Sequence, residues 1–394
     1  MAKEKDELEI LKKELNIVPA TKYKRIRQKC DCLSFGVFPV DFAISEIDED
    51  GFSGIRERDC FELLGPNNSL KTALSIQMIK KTLDRYGPYS VFGIWTEPFD
   101  PDRMEQAGID LDQILMYELY EIDEETGQVK IKQDMAEVAF ASALELAKNP
   151  RTRLTFIDSL SAAMPSLQMF DKKNVRDLDS NPVAASAKVV NNFVNKFKNL
   201  AARSVLGYIS HYNEPITFDI QQVFMDQTKI HTRGGNGKDF AADVRILCNS
   251  TIKLNDEKHS VFGTKQGEMY NCTWKIIKNK YSPSVPYRTP TGEFDPKTGK
   301  FNDEETIIKC ASFFAEKDKQ DVIHSKLDPK VYTGGSWITI GNEKFQGIDK
   351  AEAYLKQHPE IVDKLAKQMY PLNGQFFEDV RPSLEELMEN GSQI

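Results

Sequence analysis

At 394 residues, with 40% hydrophobic and 28% charged side chains, the chain has the make-up of an ordinary globular protein and is too long for one typical domain. No run of about 18 apolar residues occurs, which excludes a spanning helix, and Met1-Ala2-Lys3-Glu4-Lys5-Asp6 offers no apolar stretch for secretion. Six scattered cysteines without paired metal spacing predict a reduced, cytoplasmic compartment and no structural metal, while a net charge of −8 confines any nucleic-acid contact to local basic segments.

Taken in chain order, residues 3–18 carry Leu8, Leu11 and Leu15 as an apolar stripe at helical spacing. A helix this short is marginal alone, so the stripe must dock on something. The basic run 22–29 follows, for which a solvated face is an equally good account. Cys60-Phe61-Glu62-Leu63-Leu64 predicts a buried strand, Gly65 to Thr72 a turn, and Ala73 to Ile79 a helix. Further strands are predicted at 91–95, 114–117, 154–157 and 205–209, with helices beginning at 102–107 and covering 134–147 and 184–203. Short apolar strands separated by helices imply an α/β fold, a mostly parallel sheet with helices on both faces. After residue 240 the strands turn amphipathic, as in Ile246–Leu254 and Asn271–Lys278, which suggests antiparallel additions at one edge. A Pro/Gly-rich stretch at 281–303 is taken as the boundary of the core. The expected organisation is an N-terminal oligomerisation helix and basic linker at 1–34, a core at 35–303, a small α+β unit at 304–372, and an acidic, mobile tail at 373–394.

The chemistry starts at Gly65-Pro66-Asn67-Asn68-Ser69-Leu70-Lys71-Thr72. A strand, a turn and a helix start with Lys-Thr at its mouth make a phosphate-binding loop: backbone N–H groups hold phosphate oxygens, Lys71 reaches the terminal phosphates and the Thr72 hydroxyl binds Mg²⁺. Leu70 stands where such loops usually have a second Gly. An ATPase also needs a metal carboxylate, a base and a γ-phosphate sensor, and three strand ends offer them. Asp158 ends the strand 154–157, Glu97 follows 91–96, and His211 follows 205–209. Asp158 would hold the metal, Glu97 would polarise the attacking water, and His211 would hydrogen-bond the γ-phosphate. Singly each is weak, since an Asp after a short strand is more often a helix cap.

Over most of residues 35–370 the order of motifs resembles the RecA family of homologous-recombination ATPases. The resemblance is carried by Gly65-Pro66, by Thr96-Glu97 before Asp100-Pro101, by Asp158-Ser159, and by Gly234-Gly235-Asn236 with Lys238, Phe240 and Val244-Arg245. Lys278-Asn279-Lys280 fits the family's paired lysines, and Gly335-Ser336-Trp337-Ile338 with Tyr354-Leu355-Lys356 resembles the small C-terminal domain of bacterial members. The resemblance implies a RecA-type P-loop ATPase core and a DNA-dependent ATPase that forms filaments on single-stranded DNA and exchanges strands with a homologous duplex. ATP and Mg²⁺ would be its cofactors, and single-strand-binding and mediator proteins its further partners. Lys278 and Lys280 would reach the γ-phosphate on a neighbouring subunit, Phe240 would pack across that interface, and the Leu8–Leu11–Leu15 stripe would dock there. Segments 162–183 (Met164, Lys172, Lys173, Arg176) and 212–237 (Phe218, Lys229, Arg233, Gly234, Gly235, Asn236) would be DNA-binding loops, although ordinary surface loops are also compatible with them. Arg103 lies where the family stacks a Tyr on adenine, and His211 replaces its usual Gln. Asp239 stands at an expected Lys, with Lys238 one residue early. Leu70 and His211 together are more similar to phage-encoded recombinases of the UvsX kind. The alternative is another RecA-fold DNA motor or loader, such as a ring helicase or a strand-annealing ATPase.

Overall fold

The computed structural model describes residues 31–44, 54–96, 99–117, 120–122, 129–131, 135–160, 170–171, 174–175, 185–211, 232, 236–252, 269–281, 289–317 and 323–369. The chain opens with β1 (Cys32–Leu33), α1 (Phe38–Ile44) and β2 (Ile55–Arg56), the two strands pairing antiparallel. Then come β3 (Cys60–Gly65), α2 (Lys71–Tyr86), β4 (Val91–Trp95), α3 (Pro101–Gln106) and β5 (Leu115–Met116). A hairpin of β6 (Tyr120–Ile122) and β7 (Val129–Ile131) leads to α4 (Met135–Ala147) and β8 (Leu154–Asp158). A second hairpin, β9 (Phe170–Asp171) with β10 (Asn174–Val175), precedes α5 (Ala185–Leu200), β11 (Val205–His211) and α6 (Asn236–Ala241). The sheet is completed by β12 (Val244–Ile252), β13 (Tyr270–Asn279), β14 (Thr291–Asp295) and β15 (Lys300–Phe301).

Nine strands form one sheet in the order β15-β14-β13-β12-β3-β11-β8-β4-β5. The six from β12 to β5 are parallel to their neighbours, and β13, β14 and β15 add antiparallel at one edge. The α/β expectation therefore holds in kind. Two details differ. The strand expected at 114–117 is only Leu115–Met116 at the far edge, and β11 continues to His211. The Pro/Gly-rich stretch holds β14 and β15 of the main sheet, inside the span 35–303 expected for the core, and Pro296 and Gly299 lie in the turn between them.

Period-2 alternation sends successive strand residues to opposite faces. On one face, Phe61, Leu63, Phe156 and Ile209 pack under Leu74, Met78 and Ile79 of α2. On the other, Cys60, Ile157, Leu206 and Tyr208 pack under Phe140 and Ala143 of α4 and Val190, Phe193 and Phe197 of α5. Each large apolar side chain so buried contributes about 1.5–3 kcal/mol, so the α2 and α5 stripes hold both helices to the sheet.

The remaining elements are α7 (Asp303–Cys310), β16 (Ala315–Lys317), β17 (Ile323–Ser325), β18 (Val331–Gly334), β19 (Trp337–Ile340), β20 (Glu343–Gln346), α8 (Ile348–Gln357) and α9 (Pro359–Met369). They share a third apolar cluster, in which Ile307, Val331, Ile340, Leu355 and Leu365 are joined by Phe38 of α1. No helix among the described residues is long and apolar enough to cross a membrane. The predicted N-terminal stripe at Leu8, Leu11 and Leu15 and the acidic tail 373–394 lie outside the described residues.

Candidate active site

The loop Gly65–Leu70 joins the central strand β3 to the longest helix on its face, α2. Gly65 has φ +151, and a Cβ there would stand 2.2 Å from the Cys248 carbonyl oxygen of the adjacent strand. Only glycine passes this point. Leu70 caps α2 in the left-handed region at φ 58, ψ 28, the conformation that a glycine would adopt without strain. Its side chain packs on the main apolar cluster, which compensates in part.

Within the loop, Lys71 Nζ donates to the carbonyls of Gly65 at 3.0 Å and Pro66 at 2.7 Å and to Ser69 Oγ at 3.0 Å. The ammonium is thereby held across the concave side of the loop, beside the N-terminus of a 16-residue helix. Unpaired N–H groups and the helix dipole make such a mouth an anion site. Thr72 Oγ1 donates to Asp158 Oδ2 at 3.0 Å, so the two expected metal groups do meet at the ends of β3 and β8. A hydroxyl and a carboxylate side by side are the oxygen donors that a hard divalent cation takes, and they fit Mg²⁺. Thr96 fastens β4 to β8: its N–H donates to the Asp158 carbonyl at 2.8 Å, and its Oγ1 is bonded to both the Ser159 carbonyl and the Ser159 N–H at 2.9 Å. The residue after Thr96 is Glu97, which lies outside the described residues. His211 ends β11 in register with Gly65; its side chain also lies outside the description.

Lys71, Thr72 and Asp158 border a cavity of about 1120 Å³ that runs from Pro66 past Asp158 and Arg103 to Tyr270 and Gly299. Arg103 lines it with its guanidinium fixed to Asp100 at 2.9 Å. Motif reading missed the far wall. Tyr270 begins β13, and the 296–299 turn is tied to α3 and α2 by Gln106 Nε2 on the Pro296 and Lys297 carbonyls and by Gln77 Nε2 on the Gly299 carbonyl. Their sequence signal was the turn Pro296-Lys297-Thr298-Gly299, which reads as a boundary until the sheet register is known.

A second group collects elsewhere. Phe240, 76% exposed, lies in the last turn of α6, and Lys278 Nζ donates to the Asp239 carbonyl at 2.6 Å and the Phe240 carbonyl at 2.9 Å. Lys278 pairs with Arg245 in the sheet, and Arg245 with Glu62; Lys280 N–H bonds the Asp243 carbonyl, and Asp243 N–H the Cys60 carbonyl. The lysines are thus level with the start of β3, whose end carries the phosphate loop. At about 3.3 Å per residue the levels of Lys280 and Gly65 are about 17 Å apart along the strands, more than a lysine side chain spans. Burial pushes the Lys278 pKa down, and Lys280 and Arg245 push it further, to about 8.

Beneath Phe240 lies a buried charge network. Glu62 Oε1 accepts from Lys238 Nζ at 2.7 Å and Thr232 Oγ1 at 2.8 Å, and Oε2 accepts from Arg245 Nε at 2.5 Å. Burial alone would raise the Glu62 pKa, but Lys238 and Arg245 overcome it and hold the carboxylate at about 2. Lys238 is fully buried here. The cation that stands one residue early therefore serves the interior of the protomer. Of the expected DNA-binding positions, Met164, Lys172, Lys173, Arg176, Phe218, Lys229, Arg233, Gly234 and Gly235 lie outside the described residues, and Asn236 is described only as the first residue of α6.

No protein-family model matches the chain. Curated relatives do. The chain is 25% identical over 348 residues to Protein RecA of Wolinella succinogenes, covering 86% of this chain and 82% of that one. It is 25% identical over 351 residues to Protein RecA of Rubrobacter xylanophilus (89% and 86% covered), and 24% identical over 343 residues to that of Aquifex pyrophilus (86% and 84%). Over most of its length the chain is thus similar to RecA proteins, and the nine-stranded sheet with helices on both faces is an α/β core of the RecA type.

Proposed function

We propose that the protein is a single-stranded-DNA-dependent ATPase that polymerises on DNA and promotes homologous pairing and strand exchange. The observation that carries this is the separation of two half-sites, Lys71, Thr72 and Asp158 at one end of the sheet and Lys278 and Lys280 level with the start of β3. A triphosphate on the loop of one copy would meet both lysines only where a second copy stacks on it head to tail. A contact of that kind, repeated without closing, builds a helical filament.

In this arrangement Lys71 and the N–H groups at the start of α2 bind the phosphate oxygens. Thr72 and Asp158 would hold Mg²⁺, which when bound neutralises charge on the β- and γ-oxygens. Glu97, next to the Thr96 fastening, takes the proton of the attacking water. Lys278 and Lys280 of the neighbouring copy stabilise charge on the transferring phosphoryl group. Arg103 and Tyr270 flank the base, and His211, level with Gly65, relays the phosphate state into segment 212–237. The cations and aromatics of 162–183 and 212–237 suit single-stranded DNA, where backbone charge and base stacking supply affinity. Phe240 and the Leu8–Leu11–Leu15 stripe complete the subunit contact. Leu70 and His211 favour a phage-encoded member of the family.

The test is ATP turnover with and without a thymidylate homopolymer, alongside strand exchange with a homologous duplex. The expected result is turnover that DNA stimulates and that Glu97→Gln abolishes, with exchange requiring ATP. Turnover indifferent to DNA would overturn the proposal. Translocating rings without exchange would favour another motor of the same fold.

A further inference from the structure

At the base of the sheet one carboxylate holds two lysines, and they differ in how easily they can leave. Asp243 is 5% exposed. Its Oδ1 accepts from Lys280 Nζ at 3.0 Å and from Lys198 Nζ at 2.8 Å, and its Oδ2 accepts from Lys198 Nζ at 2.6 Å and from the Cys60 N–H at 2.9 Å. Lys198 sits on α5 with a second bond to the Ala241 carbonyl at 3.1 Å, and its side chain is 26% exposed. The Lys280 side chain is 43% exposed and makes a single contact with Asp243. Burial works against the Asp243 charge, but the Lys198 hydrogen bond and the Cys60 amide hold its pKa below the ordinary range.

The carboxylate therefore has a permanent partner and a removable one. If Lys280 swings away, Lys198 and the Cys60 amide still satisfy Asp243, so no buried charge is stranded. The Lys280 backbone stays where it is, because its N–H is bonded to the Asp243 carbonyl at 3.0 Å. Only the side chain needs to move.

We propose that Asp243 is a latch for Lys280: it parks the ammonium in the free protomer and releases it to the phosphoryl oxygens of a neighbouring copy, with Lys198 setting the strength of the latch. This inference depends on Lys280 acting across a subunit boundary. Asp243 and Lys198 are positioning residues and touch no reactant. Without Asp243 the ammonium is free in advance. Without Lys198 the carboxylate has Lys280 as its remaining cation and grips it harder. The two substitutions must therefore move assembly in opposite directions, whereas two merely structural lesions would move it the same way.

The experiment titrates full-length protein into ATP, Mg²⁺ and a thymidylate homopolymer and reads the protein concentration at half-maximal turnover. The expected result is that Asp243→Asn lowers this midpoint roughly two- to fivefold and Lys198→Ala raises it by a similar factor, as suits one partly exposed ion pair. A second measurement, amine acylation of Lys280 followed by mass spectrometry on protein without DNA, should show faster modification in Asp243→Asn and slower in Lys198→Ala. It still decides the matter with Lys198→Ala alone if Asp243→Asn folds poorly. Shifts of the same sign, or none, while Lys280→Ala abolishes turnover, would overturn the latch and leave the trans-acting lysine standing. Undiminished turnover in Lys280→Ala would overturn both.

Discussion

Gly65 and Lys278 show how much a single position fixes. A Cβ on Gly65 meets the Cys248 carbonyl at 2.2 Å and Ser69 Oγ at 2.8 Å, and neither the β12 backbone nor the loop can yield without moving the phosphate cradle. Gly65→Ala is therefore expected to cost about 1–3 kcal/mol of stability by overpacking and to abolish binding of a fluorescent ATP analogue; unchanged binding would contradict the role given to the loop. Lys278 makes a prediction in pH. Its folded pKa lies below the ordinary lysine value, at about 8, with Lys280, Arg245, Asp243 and Lys198 as the charges around it. The ammonium is thus present below pH 8 and lost as pH rises through 8. DNA-stimulated turnover should fall along that alkaline limb, by up to about tenfold per unit for one proton. Lys278→Arg, which stays charged, should flatten the limb in a pH–rate profile. An identical limb in both proteins would assign it to another group. The first Gly and the Lys-Thr pair were legible because the contacts of the loop are local, and Asp158 because it closes an apolar strand, although its partner Thr72 lies 86 positions away. Tyr270 was not, because only strand register brings it to the cavity.

Among the elements, α6 is the one whose placement depends most on buried charge. Lys238, Thr232 and Arg245 converge on Glu62 in β3, three residues before Gly65, while Lys278 caps the other end of the helix through the Asp239 and Phe240 carbonyls. Glu62→Gln would leave Lys238 and Arg245 to share Asp239 Oδ1, at 2.7 and 3.4 Å, as their carboxylate in a largely dry site, and is expected to cost about 3 kcal/mol. The double change Glu62→Gln with Lys238→Met should recover part of that in urea denaturation at pH 7; a double variant no more stable than the single one would count against the pairing. The sign of the pH dependence follows from the depressed carboxylate. Its contribution is complete above the ordinary pKa of 4.5 and is lost as pH falls from there towards about 2. Little of this could be read from the sequence. The partners of Glu62 lie 170 to 183 positions away, and a charged residue inside an apolar run looks like an interruption. Strands β3, β4, β8 and β11 were legible because they are buried on both faces and read as continuous apolar runs. The turn 296–299 gave no sign of its place at the cavity for a related reason: its Pro and Gly serve a hairpin that the edge of the sheet completes.

At the scale of the whole molecule, the sequence resemblance carried the expectation of a site shared between copies, and the sheet sets the phosphate loop and the paired lysines at opposite ends of one protomer. Parallel strands carry direction: everything that follows a strand gathers at one end, and the antiparallel strand β13 returns the chain to the other. Lys71, Thr72 and Asp158 fall at the first end, and Lys278, Lys280 and Phe240 at the second. A protein built this way should show complementation in trans. Lys71→Ala protomers keep their lysine pair, and a Lys278→Ala, Lys280→Ala protein keeps its phosphate loop; each alone should be inactive. Mixed in equal amounts on a thymidylate homopolymer, they would assemble with both neighbours chosen at random. About a quarter of the junctions would then join an intact loop to an intact lysine pair, so turnover should recover to about a quarter of wild type in such head-to-tail packing. The recovery should follow the product of the two mole fractions, with its maximum at equal mixing, and steady-state ATP hydrolysis across a mixing series reads it directly. A series that stays flat at zero, while each protein still binds DNA, would mean that loop and lysines do not act on one triphosphate.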